Sequence, residues 1–158
     1  ICAIPTNLYG PGAHFDLENS HLVSALIVKF HKAKNEGKKE VILWGTGSPR
    51  RDLLFVEDAA KACLFLMQNY NSPEIINIGP GKDLSVREIA EIEKEILGYE
   101  GKLAFDTSKP DGMMRRILDT NKINLLGWKT ETGFREGLIQ TYKWFLENVI
   151  TTKDQEQN

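Results

Sequence analysis

Cysteine is scarce in this sequence, and a long apolar run is missing altogether. The two cysteines, Cys2 and Cys63, both lie in apolar stretches. Two such separated residues favour buried free thiols in a reducing compartment over a disulfide framework, which indicates the cytoplasm. No apolar run reaches the roughly 18 residues that span a bilayer, so the sequence predicts no membrane partner.

Charge of one sign is also not in excess. The chain has 20 basic and 22 acidic residues, and neither a basic face nor a basic run stands out. Nucleic-acid-binding proteins usually carry such a face, so we expect no nucleic-acid partner. The three histidines have no recurring ligand spacing with cysteines or carboxylates, which predicts no metal site. Glycine-rich phosphate loops of the Gly-x-Gly-x-x-Gly and Walker types are missing too.

Short apolar strands alternate with amphipathic helices along the chain. With 41% apolar residues among 158, the chain is long and apolar enough to bury a core. Apolar runs at 1–4, 41–44, 53–56 and 75–78 predict strands, and a 3.6-residue apolar stripe after His21 predicts a helix. This alternation predicts an α/β fold.

The stretch from Pro5 to His21 organises the predicted site. It leaves the first strand through a glycine- and proline-rich turn, and Ser20 is expected to cap a helix that starts at His21. Ligands of open α/β sheets bind where loops leave the carboxyl ends of strands, which makes His21 a candidate acid or base. The alternative is an ordinary surface histidine in the first turn of a helix.

Four further residues could hold a ligand. Lys29 would lie about 12 Å along the helix from His21, rotated by about 80°, so that both could line one broad face. Trp44 could stack on a planar group or pack in the core, and Arg51 could bind phosphate. Asp111 could accept hydrogen bonds from a sugar or a base. Each residue type also has an ordinary structural role, a solvated lysine above all.

Several motifs, taken together, resemble a known family. They are Pro-Thr-Asn-Leu-Tyr-Gly-Pro at 5–11, Asn-Ser-His at 19–21, Trp-Gly-Thr-Gly at 44–47, Arg-Asp-Leu-Leu-Phe-Val-Glu-Asp at 51–58, Asn-Ile-Gly at 77–79 and Lys-Pro-Asp-Gly at 109–112. In this order they resemble the extended short-chain dehydrogenases. The motifs at 19–21 and 109–112, with Gly-Trp at 127–128 and Trp-Phe-Leu-Glu-Asn at 144–148, point to the GDP-L-fucose synthase family within them. The resemblance covers about residues 4–148.

The resemblance implies a fold and a domain organisation. The chain would hold the last strands of a Rossmann sheet plus a small α/β substrate-binding lobe. Residues 1–150 would form the carboxyl-terminal substrate-binding portion, with 1–8 and 75–79 as strands of the Rossmann sheet and 151–158 as a disordered tail. The amino-terminal cofactor-binding portion would be absent, so we expect a fragment that is inactive by itself. Cys2 does not match the family's catalytic cysteine.

The resemblance also implies an activity. Members convert GDP-4-keto-6-deoxy-D-mannose to GDP-L-fucose by epimerisation and NADPH-dependent reduction, and the full-length enzyme would be a homodimer. His21 would be the general acid and would also lie near NADP. The other implied NADP contacts are Pro5, Thr6, Asn7 and Leu8. The implied contacts to the GDP-sugar are Lys29, Trp44, Arg51 and Asp111.

Two departures from the family pattern affect loops. Gly12-Ala13-His14 replaces the residues that usually follow Tyr-Gly-Pro, and Met113-Met114 replaces a Thr-Pro pair. Two alternatives stay open. The first is another nucleotide-sugar epimerase or dehydratase of the same family that uses NAD. The second is a module that binds a nucleotide sugar without catalysis.

Overall fold

The computed structural model describes residues 1–16 and 20–151, and the predicted α/β fold is confirmed. The strands are β1 (Cys2–Pro5), β2 (Asn7–Tyr9), β3 (Glu40–Trp44), β4 (Arg50–Arg51), β5 (Leu53–Phe55), β6 (Ile75–Ile78), β7 (Leu84–Ser85), β8 (Lys102–Asp106) and β9 (Arg115–Arg116). The α-helices are α1 (Leu22–Asn35), α2 (Val56–Asn69), α3 (Val86–Ile96), α4 (Asn121–Leu125) and α5 (Phe134–Phe145).

The strands form small, mostly parallel sheets. In the described parts of the chain, β1 pairs with β6, β2 with β5 and β3 with β8, all in parallel. The short strand β4 lies between β7, which is antiparallel to it, and β9, which is parallel. Parallel pairing aligns the carboxyl ends of neighbouring strands, the position where α/β proteins bind ligands.

The predicted strand at residues 1–8 is two strands with a change of partner at Thr6. The Thr6 amide still donates to the Ile78 carbonyl at 2.9 Å, but its hydroxyl donates to the Asp52 carbonyl at 3.3 Å. The Asn7 side-chain amide donates to the same carbonyl at 3.0 Å. Asp52 therefore holds the chain where it passes from the β6 partner to the β5 partner.

Two apolar clusters hold these elements together. The larger one lies between α1, α3, α5 and β3, and the predicted stripe of α1 forms part of it: Val23, Leu26, Ile27, Phe30 and Ala33 are all buried. The smaller one lies under α2, with Leu54, Ile76, Ile78 and Ile123 almost fully buried. The sequence periodicity of α1 is therefore confirmed by its burial.

Helix starts follow the sequence in one case and not in another. The sequence Ser-Val-Arg-Glu at 85–88 predicts a capping box. It is present at the start of α3, because the Ser85 hydroxyl accepts from the Glu88 amide and the Glu88 carboxylate accepts from the Ser85 amide. The predicted Ser20 cap of α1 is wrong, since the N-cap residue is His21 and its side chain makes no capping hydrogen bond.

The reason for the missing cap lies in the preceding loop. The Ser20 hydroxyl accepts from the Asp16 amide at 2.6 Å and donates to the His14 carbonyl at 2.8 Å, so it is already engaged. Asn19, the first residue of the Asn-Ser-His motif, lies outside the described residues.

The predicted burial of the two cysteines is wrong. Both thiols are free and exposed. Cys2 lies on β1, which pairs only with β6 among the described strands, and Cys63 lies on α2 at the border of the buried stripe that contains Ala59 and Leu66. Apolar sequence neighbours therefore did not indicate burial of either thiol.

Within residues 1–16 and 20–151, no helix is both long and apolar enough to cross a bilayer.

The apolar spacing of residues 132–147 predicts a last helix, and the observed helix differs from this prediction in detail. It begins at Phe134 after Gly133 and continues past Phe145 as a π-helical turn, Leu146–Ile150. Thr151, which was expected to open a disordered tail, is helical and donates its hydroxyl to the Leu146 carbonyl at 3.1 Å. The rest of that predicted tail, 152–158, lies outside the described residues.

Candidate functional site

A cavity of about 510 Å³ opens between α1, the ends of β3 and β4, and the loop before β9. Its volume falls within the roughly 300–1,000 Å³ that is usual for ligand pockets. Its floor is partly apolar, with Leu22, Leu26 and Leu43 among the lining residues. The structure brings together in this cavity the four residues that were predicted to hold the GDP-sugar: Lys29, Trp44, Arg51 and Asp111.

Lys29 enters the cavity from the middle of α1. Its ammonium group donates to the Ile42 carbonyl of β3 at 2.5 Å. Partial burial lowers the pKa of Lys29, because the charged form loses hydration. This lysine is therefore anchored at the cavity wall and differs from a freely solvated surface lysine.

Trp44 ends β3 at the mouth of the cavity. Its side chain is 73% exposed, so the alternative of core packing is excluded. The Lys109 ammonium lies 5.8 Å from the ring centroid, within the range of a cation–π contact. An exposed indole ring at a cavity mouth offers a flat stacking surface for a planar group.

Arg51 lies on β4 and reaches under the loop that precedes β9. Its Nη1 donates to the Met113 carbonyl and to its own neighbour, the Arg50 carbonyl, both at 2.7 Å. Two carbonyls thus fix the direction of the guanidinium group, whose remaining N–H groups have no hydrogen-bond partner among the described residues and can meet an anion. Orientation before binding lowers the entropy cost of holding a ligand.

Asp111 is bound to the glycine-rich turn that follows Trp44. Its two carboxylate oxygens accept from the Thr46 amide at 2.8 Å and from the Thr46 hydroxyl at 2.7 Å. Gly45 has a φ of 79°, and a Cβ atom there would lie 2.1 Å from the Asp111 carboxylate. Glycine is therefore required at position 45 both for its backbone conformation and for this close approach. Thr46 was not predicted, because its partner is 65 residues away.

Residues 107–116, here called the 107–116 segment, run along the cavity and are hydrogen-bonded to several neighbouring parts of the chain. Besides the contacts of Arg51 and Asp111, the Arg50 amide donates to the Met114 carbonyl at 2.8 Å. Beyond it, the Arg115 Nε donates to the Asp83 carboxylate at 2.6 Å. The sequence of residues 109–116 predicts a polar, flexible loop, and its residues Pro110, Asp111 and Gly112 form part of the cavity wall.

His21 lies beside this cavity and not in it. It lines a separate depression of about 210 Å³ together with Leu8, whereas the next residue, Leu22, lines the large cavity. The expectation that His21 and Lys29 share one helix face is therefore wrong. His21 is the N-cap residue, with an extended backbone (ψ 160°), and the helical geometry behind that expectation starts one residue later.

The four predicted cofactor contacts lie at the end of β1 and in β2. The side chains of Thr6 and Asn7 are bound to Asp52, and neither these residues nor Pro5 line the depression. Leu8 is 38% exposed and faces the depression, and Pro5 ends β1. The depression is smaller than the roughly 300 Å³ at which ligand pockets begin, so it fits one end of a dinucleotide at most.

Two buried carboxylates of the motif at 51–58 are structural, and sequence reasoning assigned them no role. Asp52 is 1% exposed and accepts from the Leu118 amide at 3.0 Å. Asp58, also 1% exposed, accepts from the amides of Glu131 and Thr132 at 3.0 and 2.8 Å. The signal for both was available, since an acidic residue at each end of an apolar strand is hard to bury unless it is hydrogen-bonded.

Arg116 is a further residue that sequence reasoning missed. In the pairing of β4 with β9 it is the register partner of Arg51, and paired residues of neighbouring strands point to the same side of a sheet. Arg116 is exposed. The face of the sheet that carries Arg51 therefore carries a second guanidinium group.

As for metals, no group of three histidine, cysteine or acidic side chains within residues 1–16 and 20–151 could hold an ion.

Comparison with known proteins identifies the family. Residues 1–79, half of the chain, match the NAD-dependent epimerase/dehydratase family. The chain belongs to this family. The resemblance seen in the motifs is thereby confirmed.

Within the family, the chain is similar to GDP-L-fucose synthases. It is 50% identical to the "Probable GDP-L-fucose synthase 1" of Oryza sativa subsp. japonica, over 97% of this chain and 47% of that protein. It is 41% identical to the "GDP-L-fucose synthase" of Escherichia coli K12, over 92% of this chain and 48% of that protein. The chain spans about half the length of the curated relatives it matches.

A solved structure agrees with these matches. The GDP-L-fucose synthetase of Naegleria fowleri bound to NADP superposes with a TM-score of 0.88 at 34% identity, over 94% of this chain and 47% of that one. The UDP-glucose 4-epimerase of Thermotoga maritima gives 0.76 at 28% identity, over 93% of this chain and 46% of that one. The fold is thus shared across the family, and the similarity is higher to the GDP-L-fucose enzyme.

Proposed function

We propose that this chain is the carboxyl-terminal, substrate-binding part of a GDP-L-fucose synthase. The enzyme converts GDP-4-keto-6-deoxy-D-mannose to GDP-L-fucose by epimerisation and NADPH-dependent reduction. The observation that carries this proposal is the convergence of Lys29, Trp44, Arg51 and Asp111, from four separate elements, on one cavity. The similarity to GDP-L-fucose synthases supports it further.

The cavity offers one type of contact for each part of a GDP-sugar. The exposed Trp44 ring suits stacking on the guanine base. The Lys29 and Arg51 cations suit the diphosphate, with Arg51 able to bind two oxygens at once. Asp111 can accept hydrogen bonds from sugar hydroxyls or from the base once its own bonds to Thr46 are exchanged.

His21 would supply the proton in epimerisation. Inversion beside a ketone removes a proton to form an enolate and returns one to the opposite face, so it needs an acid and a base on different sides of the ring. The His21 imidazole makes no hydrogen bond with the described residues, and it lies just before Leu22 at the edge of the sugar-nucleotide cavity. It is therefore available for proton transfer to a ligand that extends from one hollow into the other.

NADP, when bound, supplies the hydride for the reduction. Leu8 and His21, which line the small depression, would hold its nicotinamide end, and Pro5, Thr6 and Asn7 would contact it from the chain just before Leu8. Residues 1–150 would then form the substrate-binding portion, with β1 and β6 as strands of a Rossmann sheet. Their parallel pairing supports this arrangement.

Two further features of the whole protein belong to this proposal. A homodimer is supported by the resemblance to the family alone. A cytoplasmic location is supported by the two exposed cysteines, which are both free, since exposed thiols persist in a reducing compartment.

The direct test is turnover by the full-length protein. With GDP-4-keto-6-deoxy-D-mannose as substrate, we expect NADPH oxidation and the appearance of GDP-L-fucose. A UDP- or dTDP-linked keto sugar should give much slower oxidation. Turnover of a UDP- or dTDP-sugar, with none of the GDP-sugar, would instead assign the protein to another nucleotide-sugar reaction of the family.

A further inference from the structure

A cluster of charged side chains behind the cavity joins the two parts of its wall. The Asp83 carboxylate accepts from the Arg50 Nε at 2.8 Å with one oxygen and from the Arg115 Nε at 2.6 Å with the other. The Asp83 carbonyl also accepts from Arg50 Nη2 at 3.1 Å. Asp83 with these two arginines is called the Asp83 cluster below.

The sheet register explains why this cluster controls the cavity wall. Arg50 and Arg115 are register partners on β4 and β9, so their side chains lie on the same side of the sheet. Arg51, the next residue along β4, lies on the opposite side and lines the cavity, as Asp83 does not. The Asp83 carboxylate thus connects β4, which carries Arg51, to the last residues of the 107–116 segment. The same segment contains Asp111.

The carboxylate of the cluster is more enclosed than that of an ordinary surface ion pair. The Asp83 side chain is only 7% exposed, and each of its oxygens receives a charge-assisted hydrogen bond. Hydrogen bonds from Arg50 and Arg115 hold the pKa of Asp83 below its usual value. Arg50 is held in turn by Glu88, at 3.3 Å, in the first turn of α3. The cluster therefore stays charged, and Glu88 connects it to the first turn of α3.

Two other side-chain attachments of the 107–116 segment use residues that are proposed to bind the ligand, whereas the bond from the Arg50 amide to the Met114 carbonyl does not. Asp111 holds Thr46 with both oxygens, and Arg51 holds the Met113 carbonyl. A GDP-sugar that gives hydrogen bonds to Asp111 competes with the attachment of Asp111 to Thr46. The Asp83 cluster lies outside the cavity and meets no such competition.

We propose that Asp83 is a positioning residue for nucleotide-sugar binding: through Arg50 and Arg115 it keeps the 107–116 segment in register with β4 while the ligand replaces the contacts of Asp111 with Thr46. This rests on the proposed function. A group that is misplaced by about 1 Å can cost as much as 100-fold in an enzyme, so register at this point has a measurable consequence.

The test is Asp83→Asn in the full-length protein. An asparagine keeps the size of the side chain but turns an amide donor toward one of the two arginines, so the pair of bonds cannot be kept. We expect the KM for the GDP-sugar to rise about 10- to 100-fold. The kcat at saturation and the KM for NADPH should change less than threefold. Hydrogen exchange of peptides from 107–116 should become faster, with the rest of the chain unchanged.

Controls separate positioning from general stability. Glu95→Gln removes a two-bond pair with Arg135 in the same lobe but away from the cavity, and it should leave the KM unchanged. If Asp83→Asn does not fold, Arg115→Gln removes the bond from the segment and leaves Arg50 in place; it should raise the same KM.

The outcomes are distinguishable. If the unaltered protein turns over the GDP-sugar and Asp83→Asn or, where that variant does not fold, Arg115→Gln shows the same KM and the same exchange of 107–116, the positioning role is overturned. An equal fall of kcat and rise of both KM values would also overturn it, because this indicates a general structural defect. If the unaltered protein has no activity with GDP-sugars, the proposed function fails and the inference with it.

Discussion

The cavity and the His21 depression adjoin at the start of α1, yet they are built in different ways. In the cavity, Lys29, Arg51 and Asp111 are all held by hydrogen bonds to groups on other elements or segments. In the depression, His21 has no such bond within the described residues, and Leu8 is 38% exposed. The binding groups are thus fixed before a ligand arrives, whereas the proposed proton donor is not.

The difference teaches which property each region contributes. Groups that hold a ligand gain affinity from being oriented in advance, because less freedom is lost on binding. A group that transfers a proton needs access to the reacting atom and a free nitrogen, and an imidazole without hydrogen bonds has both. Substitutions in the two regions should therefore act on different kinetic constants.

The largest expected effect comes from His21→Asn in the full-length enzyme. Asparagine keeps a polar side chain of similar reach but cannot transfer a proton. Since a positioned acid or base contributes about 10²–10⁴-fold in rate, entry of solvent deuterium beside the ketone should slow by that factor. The affinity for the GDP-sugar should stay within about threefold, since the cavity contacts remain.

A matched control uses the second histidine of the same stretch. His14→Asn also alters a residue that lines the depression, but the resemblance assigns this histidine no role. It should exchange deuterium at nearly the normal rate. If His21→Asn exchanges as fast as the unaltered enzyme, His21 is an ordinary histidine at a helix start.

A substitution in the larger apolar core should destabilise the chain much more than a substitution on β1. Phe30 is fully buried in the larger core, so Phe30→Ala should lower the free energy of unfolding of residues 1–158 by about 3–5 kcal/mol. Ile4 lies on β1 and is 38% exposed, so Ile4→Ser should change it by about 0.5 kcal/mol or less. Urea unfolding followed by circular dichroism measures both. Equal losses would mean that β1 is covered in this chain and that the described edge is wrong.

Binding should respond at Arg51. Arg51→Ala removes a charge-assisted hydrogen-bond donor, which is typically worth about 1.5–3 kcal/mol, so the affinity for GDP-mannose should fall by about 10- to 150-fold. Arg51→Lys keeps the charge but loses the fork of donors, and it should recover only part of the loss. Isothermal calorimetry on both variants measures this. Full recovery by lysine would show that charge alone acts at this position.

The pH dependence of stability tests the packing of the lobe behind the cavity. Glu93 on α3 is fully buried, and within the described parts of the chain neither carboxylate oxygen has a hydrogen-bond partner. Burial raises the pKa of Glu93 well above its usual value. The unfolded chain then ionises first, so stability is complete below the unfolded pKa and is lost as pH rises towards the folded pKa.

The loss from Glu93 has a maximum slope of about 1.4 kcal/mol per pH unit. In Glu93→Gln, which cannot ionise, this part of the pH dependence should disappear. Unfolding of both proteins in urea at several pH values above 4 measures the difference. Parallel pH profiles of the two proteins would show that Glu93 is not buried as an acid.

Local patterns predicted a good part of the fold. The stripe of α1 and the capping box at Ser85 depend on neighbours within four residues, and both are confirmed. Burial of Cys2 and the cap by Ser20 depend on which elements or loops come to lie beside them, and there the predictions were wrong. Apolar sequence alone does not say whether a strand is covered.

The same distinction between local patterns and contacts of distant residues applies to the candidate site. The family resemblance pointed to Lys29 and Trp44, and the structure places both in the cavity. The contact between Asp111 and Thr46 joins residues 65 apart, and the Asp83 cluster joins three separate parts of the chain. Such contacts depend on how distant loops and strands, among them β4 and β9, come together, and no local pattern in the sequence specifies this.

The most direct measurement of the central claim compares two ligands on one protein. Residues 1–158 carry a nearly complete set of proposed GDP-sugar contacts and no glycine-rich phosphate loop. Calorimetric titration should therefore show saturable binding of GDP-mannose, weaker binding of UDP-glucose, and no binding of NADPH at micromolar concentrations. Absence of GDP-mannose binding, or micromolar binding of NADPH to residues 1–158, would contradict the account.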